Sequence, residues 1–117
     1  MHNLFRILAF SWTILIFYFC LEEAPSVPKF TFQYKDKVVH FIFYFILVYF
    51  WTKSLKSIRL NYIQIILISA IVLGITIEVM QESFTVNRTF DWYDILANSI
   101  GALASFIYVN KFCTIKN

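Results

Sequence analysis

Residues 81–102 read QESFTVNRTFDWYDILANSIGA, a polar segment in an otherwise oily chain. Gln81, Glu82, Asn87, Arg88, Asp91, Asp94 and Asn98 stand here between two of the most apolar runs of the chain. From Asp91, the residues Asp94, Asn98, Gly101 and Ser105 follow at steps of 3, 4, 3 and 4, which is the spacing of one helix face. Ala97, Gly101 and Ser105, four apart, are small enough to let a neighbouring helix approach closely, the usual packing device in lipid. A polar and small seam on an otherwise oily helix predicts an all-α membrane protein.

Composition agrees. The chain has 117 residues, of which 60% are hydrophobic and 21% aromatic, well above the apolar fraction of a soluble domain. Each span consumes about 20 residues, so residues 1–117 form one transmembrane domain with no room for a second. Four candidate spans cover about 4–21, 36–54, 62–82 and 94–112. In the first, Arg6 lies near enough to the start to snorkel to the interface. An extended loop with both prolines, Pro25 and Pro28, separates it from the second. The apolar run of the second, residues 38–52, is too short for a hydrocarbon core of roughly 30 Å. It crosses only if its helix includes flanking lysines from Lys35 to Lys56. The first segment also resembles a signal peptide, but nothing small sits at a cleavage position before Glu22 and Glu23, so it is counted as a span.

Charge sets the expected orientation. In a four-span bundle, Arg6, Lys53, Lys56, Arg59, Lys111 and Lys116 share one side, and Lys29, Lys35, Lys37 and Arg88 the other. The richer side is expected to be cytoplasmic, with both termini. All seven carboxylates, Glu22, Glu23, Asp36, Glu78, Glu82, Asp91 and Asp94, belong to the opposite side. Anionic lipid accounts for the basic side, and nucleic acid is not an expected partner. Cys20 and Cys113 fall near opposite membrane surfaces and lack metal-type spacing.

Three polar helix faces then begin at the same surface. Asp36, His40 and Tyr44 step by four on the second helix, while Glu78, Gln81 and Glu82 share a face of the third, with Gly74 one turn deeper. The simplest arrangement has them facing the Asp94 and Asn98 seam, because a charge at mid-membrane costs about 2.5–3.5 kcal/mol. Asp36, Lys37, His40, Tyr44, Glu78, Gln81, Glu82, Arg88, Asp91, Asp94 and Asn98 are therefore the candidate ligand-binding residues. The competing reading of the whole constellation is a structural network, with Lys37 and Arg88 ion-paired to Asp36, Glu82 or Asp94 and with Asn98 and Gln81 bridging helices; its density in one place is what marks a site. An excess of carboxylate suits a cation, a metal or a hydroxyl-bearing headgroup, while Lys37 and Arg88 could seat one phosphate.

The order DKVVHFIFYFIL, EVMQ and NRTFDWYDILANSIGA resembles the VanZ-like family of small bacterial membrane proteins over all four spans. Ser105 stands where a further glycine is usual, and Val48 where a small residue often follows the leucine. The resemblance implies a multi-pass protein of the bacterial cytoplasmic membrane; the family's namesake is linked to teicoplanin resistance, a role not transferred to this chain by likeness alone. Two functions are expected to compete. One is a non-enzymatic envelope protein that binds a lipid headgroup or lipid-linked cell-wall precursor. The other is an intramembrane hydrolase or transferase with His40, Glu78 and Asp94 as candidate catalytic residues. A metal held by His40, Glu78 and Asp94 is a variant of the second, unsupported by any local ligand motif, and no cofactor is identified. Four short helices without a repeat give a transporter little room for alternating access unless the chain forms a homo-oligomer.

Overall fold

A computed structural model describes residues 2–21, 33–56, 58–84 and 92–112, with the side chains of residues 2, 20, 21, 33–37, 81 and 84 outside that description. Among the described residues, four helices follow in order: α1 (His2–Leu21), α2 (Gln33–Lys53), α3 (Leu60–Phe84) and α4 (Trp92–Phe112). The all-α expectation is met. Most helix ends lie a few residues beyond the expected span limits. An apolar run marks hydrocarbon, whereas a helix continues into the interface as long as its backbone bonds are made.

The outer face is apolar where a water-soluble bundle would be polar. On α3 the exposed positions are Ile65, Ile68, Val72, Ile75 and Val79, and on α4 they include Leu96, Ile100, Leu103 and Ile107, each series at helical spacing. On α1, Ile7, Phe10 and Ile14 face outward as well. The interior combines apolar side chains such as Ile16, Leu47, Ile63 and Ile77 with the polar Ser105, Asn98, Glu78, His40 and Asp94. Water would penalise such an outer face by hundreds of Å² of exposed apolar surface, whereas lipid tails accept it.

α3 over Leu60–Met80 and α4 over Trp92–Phe112 are long and apolar enough to cross a membrane. The apolar parts of the other two are shorter, Asn3–Phe19 in α1 and Val38–Lys53 in α2. Lys35, Asp36 and Lys37 occupy the first turns of α2 and shorten its apolar run. The four-span expectation thus matches the number and order of helices, and the span criterion itself in two of them.

Packing is by small residues and aromatic edges. A Cβ on Gly101 would overlap the carbonyl oxygen of Phe41 and come 3.0 Å from its Cα, so α4 lies directly on the α2 backbone there. That α2–α4 contact is the most extensive in the bundle. Further along the same interface, Tyr108 packs edge-on against Phe45 and Tyr49. α1 docks on α2 differently: Trp12 Nε1 donates to the Phe43 carbonyl at 2.8 Å, and its indole meets the rings of Phe43 and Phe50 edge-on. Trp51 Nε1 donates back to Thr13 Oγ1 at 3.1 Å. At the end of α2, Ser54 Oγ donates to the Trp51 carbonyl at 2.6 Å and satisfies one of the last helical acceptors.

Candidate functional site

Helix direction puts the site at one end of the bundle. α2 and α4 begin there and α3 ends there, so His40, Glu78 and Asp94 reach the same level from three helices. All three are buried, Glu78 completely. One donor atom from each lies within 4.8 Å of the others. Asp94 also falls in the first turn of α4, where the positive end of the helix dipole favours a carboxylate.

The imidazole is held from α4. His40 Nδ1 lies 2.8 Å from Asn98 Oδ1, a buried contact between residues 58 apart in sequence. An amide oxygen only accepts, so with the amide set this way the ring proton is on Nδ1. Nε2 then turns toward Asp94, 3.8 Å from Oδ2. That separation is too long for a direct hydrogen bond. It suits an ion pair with a charged ring, or two donors around a third centre.

Gly74 makes room for the Asn98 amide. A Cβ at Gly74 would lie 3.1 Å from Asn98 Nδ2, 3.3 Å from its Cβ and 3.5 Å from the Tyr44 ring. Among the described residues Asn98 Nδ2 has no hydrogen-bond partner. Tyr44 is fully buried, and its ring joins Ile16, Leu47, Val48 and Ala70 in the apolar core. Ser105, two turns beyond Asn98 on α4, is buried with its hydroxyl unpartnered among the described residues.

Of the residues expected at the site, His40, Glu78, Asp94 and Asn98 converge, and Tyr44 belongs to the core next to Gly74 and Asn98. Glu82 is exposed, one turn further toward the end of α3. Asp36 and Lys37 fall on α2 and Gln81 on α3, but their side chains lie outside the described residues, as do Arg88 and Asp91 altogether. Thr52, fully buried near the far end of α2, was not expected. A lone threonine among aromatics gave no signal for it. An open apolar depression on α1, lined by Asn3, Arg6, Phe10 and Ile14, includes none of the polar cluster.

Two carboxylates, an imidazole and an amide within one buried cluster can exchange protons, orient a polar ligand or share a cation. Among proteins of known sequence, the chain is 36% identical over 98 residues to an uncharacterized protein of Schizosaccharomyces pombe, a match covering 82% of this chain and 57% of that one. It therefore spans little more than half of that relative's length. No solved structure matches it. A model of the VanZ/LLP1 family matches residues 2–113, nearly end to end. VanZ proteins are membrane proteins, and the two apolar helices are in keeping with that; the chain belongs to the VanZ/LLP1 family.

Proposed function

We propose that this protein is a four-span membrane protein, with both termini cytoplasmic, that binds a polar lipid headgroup at the extracytoplasmic end of α2, α3 and α4. The observation that carries the reading is the convergence of His40, Glu78, Asp94 and Asn98 from three helices whose outer faces are apolar. Ionisable groups held inside such a bundle mark a site by default. Lys37 and Arg88, placed by sequence at the same end, would meet a phosphate, while the carboxylates and the Asn98 amide would meet hydroxyl or amine groups.

A relative 36% identical to this chain comes from the yeast Schizosaccharomyces pombe, which favours a membrane lipid over a bacterial cell-wall precursor as the ligand class. In a bacterium the setting would be the cytoplasmic membrane. A contribution to glycopeptide susceptibility would then be a consequence of lipid handling. Lipid extraction from gently solubilised protein tests the proposal: wild type should carry a discrete phospholipid class that Lys37→Ala and Arg88→Ala lose while remaining folded. Retention of the same lipid by both variants contradicts it.

One observation favours a second reading. The imidazole and two carboxylates lie close enough for proton transfer through one intervening atom, as an intramembrane hydrolase or transferase would require. Here His40 or Glu78 would be the base and Asp94 would orient it. Turnover of a lipid-linked substrate, abolished in His40→Ala, would establish this reading; turnover that persists in that variant removes the assignment.

A further inference from the structure

We infer that His40, Glu78 and Asp94 form a binding site for one divalent transition-metal cation, of the Zn²⁺ or Mn²⁺ class. The donor set is one imidazole nitrogen and two carboxylate oxygens, each from a different helix. Imidazole suits zinc and its neighbours, carboxylates suit manganese, and a mixed three-ligand set is the composition of sites that keep a position open for an outside ligand.

Burial is the first argument. Glu78 and Asp94 are two carboxylates held inside the bundle beside an imidazole. Buried carboxylates are accommodated by pairing or by coordinating a metal ion, and here an imidazole stands close enough to share the ion with them.

Geometry is the second. The contact from Nδ1 to Asn98 Oδ1 at 2.8 Å occupies one ring nitrogen and turns the other, Nε2, toward Asp94, where the neutral ring offers a lone pair to an ion. A ligating histidine held through its other nitrogen by an oxygen is the recurrent outer-shell arrangement of metal sites. Asn98, itself buried, is thus a positioning residue and not a ligand. Bonds of about 2.1 Å place neighbouring ligand atoms roughly 3.4 Å apart around a tetrahedral ion. The pair from His40 Nε2 to Asp94 Oδ2, at 3.8 Å, is close to that, and contraction of the widest separation, 4.8 Å at most, would complete the site.

The inference deepens the headgroup reading, and its role rests on that reading: a cation with an open position is what lets an acidic pocket accept a phosphate oxygen. The site itself stands on the cluster alone.

The test uses full-length protein in detergent, stripped with chelator and titrated with Co²⁺, Zn²⁺ and Mn²⁺, with metal and lipid quantified in the same sample. Wild type should bind one ion per chain, and Co²⁺ should give the absorption of a low-coordinate N/O site. His40→Gln and Glu78→Gln, near-isosteric changes, should lose the ion. Asn98→Ala should keep the stoichiometry and lose about 10–100-fold in affinity, as removal of an outer-shell partner does. Folded wild type that binds none of the three metals overturns the inference, and does so even if it carries lipid. Metal bound by wild type and lost in both glutamine variants upholds the site. Lipid that chelation leaves in place removes the bridging role without touching the site.

Discussion

His40 on α2 and Asn98 on α4 meet through Nδ1 and Oδ1 at 2.8 Å, fully enclosed, one turn of α4 below Asp94. The contact ties the two helices that pack most extensively and orients the ring toward the carboxylates. A double-mutant cycle between His40→Ala and Asn98→Ala, read by unfolding in detergent, should return a coupling of about 1–3 kcal/mol. Additive effects would show that the pair is a neighbour contact without energetic consequence.

Gly101 is where α4 touches the α2 backbone, and a methyl group there has nowhere to go because its obstacle is the Phe41 carbonyl. Gly101→Ala should cost about 1–3 kcal/mol or more, the penalty for overpacking against an unyielding partner. Gly74→Ala meets the Asn98 side chain at 3.1 Å, which can shift by a few tenths of an ångström, so a smaller loss is expected. Thermal unfolding of both variants in one detergent gives the order directly.

The outward face of α3 separates a lipid environment from an aqueous one. Ile68 is 61% exposed, so Ile68→Asp would be near neutral in water. In a bilayer it should cost about 2.5–3.5 kcal/mol at mid-helix and reduce membrane accumulation sharply, with Ile68→Ala as the mild control. Quantifying both variants in membrane fractions checks this.

In the proposed four-span topology, two crossings between Asn3 and Lys56 place both residues on one side of the membrane. Single cysteines at those positions, introduced into a background with Cys20 and Cys113 replaced, should label from the cytoplasmic side only. Labelling of Asn3→Cys and Lys56→Cys from opposite sides would remove the four-span topology and leave α3 and α4 as the crossing helices.

Much of the architecture was legible because lipid imposes simple patterns. The steps from Asp94 through Asn98 and Gly101 to Ser105 mark the buried seam of α4, and every one of those residues is buried. His40 and Glu78 were legible because an ionisable residue one turn inside an apolar run has to face inward. The docking of α1 was not, since it rests on Trp12 and Trp51 indole donors among many aromatics, with no periodic polar signal. The pairing of His40 with Asn98 was also out of reach: spacing gives a face of each helix, and only the crossing of α2 over α4 at Gly101 sets which residues meet. Tyr44 shares the His40 face, and its ring joins the apolar core while lying beside Gly74, the residue that also makes room for Asn98.

A ligand site and a purely structural bridge differ in whether the buried cluster holds a molecule. Native mass spectrometry of wild type, His40→Ala and Arg88→Ala, released from gentle detergent, measures this most directly. Wild type is expected to carry a discrete bound lipid mass that both variants lose while their unfolding temperatures show that they are still folded. Wild type without any bound mass under conditions that preserve lipid on a control membrane protein, or variants that keep the same mass, would contradict it.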